Sequence, residues 1–98
     1  MSHSILVIED DKLVGESLME FLSQLGYEVV LAGDAEEGLE KIGKRPFHIA
    51  LIDLRLPRMT GLEALRSFRE DFQGTDCIMM TSFATVETAV EAIKIGAV

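Results

Sequence analysis

Cysteine is nearly absent from this chain of 98 residues, in which Cys77 is the only one. A single thiol cannot form an internal disulfide, so nothing in the sequence calls for an oxidising compartment. Apolar residues never run for the roughly 18 positions that a membrane-spanning helix needs, and the opening Met-Ser-His-Ser is not a secretory signal. Two prolines and 48% hydrophobic residues argue against disorder. We expect one soluble, cytoplasmic globular domain.

Basic residues are also scarce. Nine Lys and Arg stand against seventeen Asp and Glu, which gives a formal net charge of −8. Nucleic-acid binding depends largely on basic side chains that displace counterions from phosphates. The densest basic cluster, Lys41, Lys44 and Arg45, directly follows three glutamates. The sequence therefore predicts no direct nucleic-acid binding by this segment.

Short apolar runs alternate with segments of helical period along the whole chain. The expected strands are Ser4–Ile8, Tyr27–Ala32, Phe47–Ile52 and Cys77–Met80. The expected helices run from Lys12 to Leu25, from a cap at Asp34 to a break at Gly43, from about Leu62 to Phe72, and from about Thr85 to Ile95. This βα alternation with continuously apolar strands predicts an α/β fold, in which helices cover both faces of a parallel sheet.

Acidic side chains follow two of the expected strands. Asp10 and Asp11 come after the first strand and Asp53 after the third, while Thr81 and Ser82 follow the fourth. Ligands of open parallel sheets bind outside the carboxyl ends of the strands. If the first and third strands are neighbours, three carboxylates and a hydroxyl converge at one edge of the sheet.

Three carboxylates at close range repel one another, and a hard divalent cation relieves that repulsion. Mg²⁺ binds one or two carboxylates, keeps several waters and accepts a phosphate oxygen as a further ligand. Asp53 is then a candidate nucleophile toward phosphorus, and the Thr81 hydroxyl a hydrogen-bond donor to the phosphoryl group. Taken alone, the Asp10–Asp11 pair is more simply explained by Asp11 as the cap of the first helix. The whole set favours a site.

The chain resembles the receiver domain of bacterial two-component response regulators. The resemblance rests on Ile-Leu-Val-Ile-Glu-Asp-Asp, on the spacing Asp53-x-x-x-Pro57-x-x-x-Gly61, and on Ile-Met-Met-Thr-Ser. It implies a doubly wound, flavodoxin-like sheet of strand order 2-1-3-4. It also implies that Asp53 accepts a phosphoryl group from a sensor histidine kinase, that Asp10, Asp11 and Asp53 hold Mg²⁺, and that Thr81 is the switching hydroxyl.

The segment from Thr85 to Ala97 resembles receivers of the nitrogen-regulation type, which control transcription through an alternative sigma factor. Two departures from the family accompany this resemblance. Ser82 stands where a smaller residue is usual, and the sequence ends at Val98, before the family's fifth strand and helix. We therefore expect residues 1–98 to form a receiver domain that is incomplete at its C-terminus and self-associates through the open sheet edge.

Three other functions fit the same fold less well. An aspartyl phosphatase needs a second Asp two residues after the nucleophile, where this chain has Arg55. A flavin or nucleotide binder needs a Gly- or Ser/Thr-rich loop after the first strand, where this chain has Glu9-Asp10-Asp11. An interaction module without phosphorylation stays open as the alternative. His3, His48 and Cys77 are expected to bind no metal, and Cys77 to be a core residue.

Overall fold

The computed structural model of the chain describes residues 3–56, 58–80 and 86–98. Their elements, in chain order, are β1 (Ser4–Ile8), α1 (Lys12–Gln24), β2 (Glu28–Ala32), α2 (Ala35–Lys44), β3 (Ile49–Asp53), α3 (Gly61–Asp71), β4 (Asp76–Met80) and α4 (Val86–Ile95). No helix among the described residues is both long and apolar enough to cross a bilayer.

The four strands form one parallel sheet in the order β2-β1-β3-β4. This is the predicted α/β fold and strand order, and both are confirmed. In the register of the sheet, Ile8 of β1 lies opposite Ala32 of β2 and Ile52 of β3. Because β1 and β3 are parallel neighbours, their carboxyl ends lie side by side. The strand order also changes direction between them, which is where open parallel sheets bind ligands.

Helices pack on both faces of the sheet. Gly15 of α1 lies against the side chain of Leu31, whereas Gly38 of α2 lies against Ile8. Leu31 is the register partner of Val7, and Val7 and Ile8 point to opposite faces because strand side chains alternate. Helix α1 therefore covers one face, and α2 covers the other together with α3, which contacts both α2 and α4.

The main core lies between the sheet and the α2–α3–α4 face. Its largest fully buried side chains include Phe68, Leu65, Leu6, Ile8 and Ile52. The spacing of Leu62, Leu65, Phe68 and Phe72 in the sequence predicts an apolar seam on α3. The seam is confirmed, since Leu65 and Phe68 are fully buried and Leu62 and Phe72 pack against the same core. Through this seam, α3 packs against β3 and β4.

The other face of the sheet is covered less completely within the described part of the chain. The helical spacing of Val14, Phe21 and Leu25 in the sequence predicts that they share one apolar face of α1. In the structure these side chains are 44%, 60% and 60% exposed. The helix approaches the sheet through Gly15, which is buried, and through half-buried neighbours such as Leu18. The apolar stripe is therefore present, but most of it faces solvent.

The observed start of β3 differs by two residues from the predicted one. Phe47 is buried but precedes the strand, and its carbonyl accepts a hydrogen bond of 2.6 Å from the Thr75 hydroxyl. The sheet ladder begins at Ile49, which is the register partner of Ile5 and Asp76. The predicted strand core and its end at the site are unchanged.

Candidate functional site

Three carboxylates meet where β1 and β3 end. Glu9 and Asp10 directly follow β1, and Asp53 is the last residue of β3. One oxygen from each side chain lies within 4.8 Å of the others. Glu9 is 9% exposed, whereas Asp10 is exposed and Asp53 half-buried, so the cluster opens to solvent on one side. We refer to Glu9, Asp10 and Asp53 as the acidic cluster.

Asp11 does not belong to this cluster, contrary to the expectation that Asp10 and Asp11 form its pair. Its side chain caps α1, and its Oδ1 accepts the Val14 N–H at 3.1 Å. Glu9 takes the expected place of Asp11, because the Glu9 N–H bonds to the Ala32 carbonyl at 3.0 Å and thereby extends the β1 backbone by one residue. The sequence already indicated this arrangement, because Asp11 directly precedes the helix that begins at Lys12 and is a suitable cap for it.

The acidic cluster changes the titration of Glu9. Burial, together with the hydrogen bond and the negative charge of Asp53, raises the pKa of Glu9 to about 7, against the lowering effect of the Asp11 N–H. That N–H donates to Glu9 Oε2 at 3.1 Å. A buried acid beside other acids holds its proton because burial and neighbouring negative charge both disfavour the ionised form.

The donor set of the cluster fits a hard divalent cation. All three side chains offer carboxylate oxygens, which Mg²⁺ and Ca²⁺ prefer to nitrogen or sulfur. A cation at this position would compensate the charge that raises the pKa of Glu9. The exposed side of Asp10 leaves room for water or a phosphate oxygen to complete the coordination.

Two backbone N–H groups hold the ends of the β3–α3 loop, of which the structure describes residues 54–56 and 58–60. Asp53 Oδ1 accepts the Arg55 N–H at 3.0 Å, and the Gly61 N–H donates to the Leu54 carbonyl at 3.1 Å. A Cβ at position 61 would collide with the backbone of Asp53 and would lie 2.7 Å from Leu54 Cα. Glycine at this position therefore lets α3 begin directly beside the acceptor candidate. Pro57 of the predicted motif lies outside the described residues.

Strand β4 borders the site on its other side. Met80, its last residue, is the register partner of Asp53, and its carbonyl accepts the Leu54 N–H at 2.9 Å. Thr81 and Ser82, which the sequence places next in the chain, lie outside the described residues. The role expected for Thr81 therefore stays a prediction.

Two further reactive side chains, His48 and Cys77, lie away from the acidic cluster. His48 Nδ1 accepts the Ser4 N–H at 3.0 Å, at the end of the sheet opposite the acidic cluster. Cys77 is fully buried in the core, and burial raises the pKa of its thiol to about 11. Neither residue contributes to the acidic cluster.

The pattern of known receiver domains matches residues 5–98, nearly the whole chain. This chain belongs to the response regulator receiver domain family. Among its relatives is the transcriptional regulatory protein ZraR of Klebsiella oxytoca, 37% identical over 95% of this chain and 21% of that protein. The receiver spans only 21% to 46% of the length of the first curated relatives it matches.

Solved receiver structures have the same fold. The CheY-like receiver domain protein of Methanospirillum hungatei superposes with a TM-score of 0.94 and 37% identity, over 99% of this chain and 78% of that one. A response regulator of Burkholderia pseudomallei, solved with a phosphorylated aspartic acid, a calcium ion and citrate, superposes with a TM-score of 0.92 and 29% identity, over 98% of this chain and 56% of that one. The receiver fold and a signalling role by phosphorylation are thereby shown.

Proposed function

We propose that Asp53 is the phosphoryl acceptor of this receiver, and that Glu9, Asp10 and Asp53 hold Mg²⁺ beside it. The observation that carries the proposal is the meeting of these three carboxylates at the carboxyl ends of two neighbouring strands. Compared with the set expected from the sequence, Glu9 replaces Asp11, whose carboxylate caps α1. The Burkholderia pseudomallei relative, with its phosphorylated aspartic acid and calcium ion, supports both halves of the proposal.

The proposed step transfers a phosphoryl group from a histidine of a sensor kinase to Asp53. A carboxylate oxygen of Asp53 attacks phosphorus, an O–P bond forms, and the P–N bond to the imidazole breaks. Bound Mg²⁺ supplies charge compensation for the phosphoryl oxygens. The chain itself orients the nucleophile, since the Arg55 N–H holds Asp53 Oδ1 in place. Glu9 must lose its proton for the cluster to bind the cation, which links loading of the site to its titration.

Thr81 is proposed as the hydroxyl that bonds to the transferred phosphoryl group. The support is its place in the chain directly after Met80, the register partner of Asp53. A hydrogen bond from this hydroxyl to the phosphoryl group would couple phosphorylation to the segment that joins β4 and α4. That coupling is the switching role that the family resemblance implies.

The partner and output of the receiver are also proposals. We infer that a sensor histidine kinase is the phosphoryl donor and that the protein is cytoplasmic. We also infer that its output is control of transcription, as the name of the transcriptional regulatory protein ZraR says of that relative. The resemblance of residues 85–97 to receivers of the nitrogen-regulation type points to an activator that works with an alternative sigma factor. The net charge of −8 argues against direct nucleic-acid binding by this segment.

Self-association is a further part of the proposal. The support is the apolar stripe of α1, in which Phe21 and Leu25 are each 60% exposed. Exposed apolar patches of this kind mark interfaces or aggregation sites. We propose that copies of the chain associate through this surface at high concentration; association through the open edge of the sheet, expected from the sequence, stays a prediction.

The test of the acceptor is phosphorylation by a small donor. The chain is incubated with acetyl phosphate and Mg²⁺, and its intact mass is followed. We expect one added phosphoryl group that is stable in acid and labile in base, and Asp53→Asn to abolish it. Asp71→Asn, which removes an exposed carboxylate at the end of α3, is the matched control and should be labelled like the parent chain.

Two outcomes contradict the proposal. If Asp53→Asn gains the same labile phosphoryl group at the same stoichiometry, the acceptor is another residue. If the parent chain gains none, while Mg²⁺ binds, the alternative of an interaction module without phosphorylation is favoured.

A further inference from the structure

We propose that Arg58 is a positioning residue, which fixes the β3–α3 loop to the start of α2 and thereby prolongs the life of the acyl phosphate on Asp53. The loop part of this inference stands on the contacts of Arg58 alone. The lifetime part rests on the proposed function of Asp53.

The backbone of Arg58 is in an unusual conformation. Its φ is +65°, and among the described residues it is the only non-glycine residue with a positive φ. A residue with a Cβ is disfavoured in this left-handed region, and such a conformation persists where surrounding contacts hold it. Arg58 therefore needs an attachment that keeps the loop in place.

Its side chain provides that attachment. Nη2 donates to Asp34 Oδ2 at 2.9 Å, and the neighbouring Nε lies 3.2 Å from Glu36 Oε2. The guanidinium group is suited to such contacts because its nitrogens form a planar, rigid fork. We call this contact of Arg58 with Asp34 and Glu36 the clasp.

Asp34 is a firm anchor for the clasp. Its Oδ1 accepts the Glu37 N–H at 2.7 Å as the cap of α2, so the two oxygens of one carboxylate serve the helix and the loop. The Asp34 side chain is 25% exposed, whereas that of Arg58 is 72% exposed. Exposed ion pairs contribute little to global stability, so the clasp should act on the local opening of the loop and not on unfolding.

In the chain, Arg58 lies between the two N–H groups that hold the ends of the loop. Arg55 donates to Asp53 Oδ1 on one side, and Gly61 donates to the Leu54 carbonyl on the other. Loosening the middle of the loop should weaken both hydrogen bonds. Asp53 would then lose part of the contact that orients its carboxylate, and water would gain access to an acyl phosphate formed there.

The first test measures amide hydrogen exchange by NMR in the whole chain. In Arg58→Ala we expect the Arg55 and Gly61 amides to exchange about fivefold faster or more, since local opening controls their exchange. The Glu28 amide, which bonds to the His3 carbonyl at the far end of the sheet, should be unchanged. Arg66→Ala, which removes an exposed arginine of α3, is the control with the same loss of charge.

A double variant tests whether Arg58 acts through the clasp. Asp34→Asn combined with Glu36→Gln removes both acidic partners but keeps a capping side chain on α2, because Asn caps helices as well as Asp does. It should reproduce the exchange of Arg58→Ala. If the Arg55 and Gly61 amides are unchanged in Arg58→Ala, equally faster in Arg66→Ala, or unchanged in the double variant, the positioning role is refuted.

The second test follows hydrolysis of the phosphoryl group after labelling with acetyl phosphate and Mg²⁺. We expect Arg58→Ala to shorten the lifetime about threefold, as a modest loss of positioning should, and Arg66→Ala to leave it unchanged. Faster exchange with an unchanged lifetime would refute the functional half of the inference. If the parent chain is never labelled, the proposed function of Asp53 fails, and the exchange measurement still decides the role of Arg58 in the loop.

Discussion

The titration of Glu9 leads to a quantitative prediction about the acidic cluster. Burial and Asp53 raise the Glu9 pKa from an ordinary 4.5 to about 7. Because the folded state holds this proton more tightly than the unfolded chain, the contribution to stability is fully present below pH 4.5 and is lost as pH rises through 7. At about 1.36 kcal/mol for each pKa unit, the shift from 4.5 to about 7 corresponds to at most about 3 kcal/mol.

Glu9→Gln should remove this pH dependence, because the amide does not titrate. In the metal-free chain we expect the free energy of unfolding of the parent to fall between pH 5 and pH 8, and that of Glu9→Gln to stay nearly level. The difference should be on the order of 2 kcal/mol at pH 8, in favour of the variant. Urea unfolding followed by circular dichroism at pH 5, 6, 7 and 8, with a chelator present, measures it.

The affinity for Mg²⁺ should rise with pH, whereas the free energy of unfolding of the metal-free chain falls. The cation displaces the Glu9 proton, so the affinity of the parent should rise about tenfold for each pH unit up to about 7 and then level off. Glu9→Gln should bind Mg²⁺ more weakly and with little dependence on pH in this range. Calorimetric titration at the same four pH values gives both the affinity and the protons released.

Asp11→Asn is the matched control for both measurements. It removes a charge two residues away but keeps the cap on the Val14 N–H, since Asn is as good a cap as Asp. Its pH dependence and its Mg²⁺ affinity should match those of the parent. If Asp11→Asn abolishes the pH dependence, or Glu9→Gln leaves it intact, Asp11 and not Glu9 belongs to the cation site and the reasoning is wrong.

Three further predictions concern packing, association and the thiol. Gly61→Ala should lower the free energy of unfolding by about 1–3 kcal/mol, because the new Cβ collides with the backbone near Leu54. Gly43→Ala has open space around it and should be neutral or stabilising. Equal effects of the two variants in urea unfolding would refute this. Light scattering should show concentration-dependent association that Phe21→Ser weakens, and a clean monomer at high concentration would contradict it. Cys77 should resist alkylation at pH 8 until the chain unfolds, and rapid labelling of the native chain would show that it is accessible.

Local patterns predicted most of the fold. The strands could be recognised because short β-branched runs are bounded by acidic or glycine residues, and the seam of α3 because Leu65 and Phe68 follow the helical period. The order of the βα units then limits the topology, since parallel strands need right-handed crossovers. What local patterns could not predict is the exposure of Phe21, which has the same period as a buried residue.

The sequence by itself determined that acidic side chains meet at one edge of a parallel sheet, because residue order and strand direction place Asp10 and Asp53 at neighbouring carboxyl ends. Only the tertiary structure decided which of the two acids beside Asp10, Glu9 or Asp11, joins them. Glu9 joins because its backbone bonds to β2, and Asp11 turns away to cap α1. The contact of Arg58 with Asp34 is likewise a tertiary result, since it joins residues 24 positions apart through a left-handed backbone that no local pattern shows.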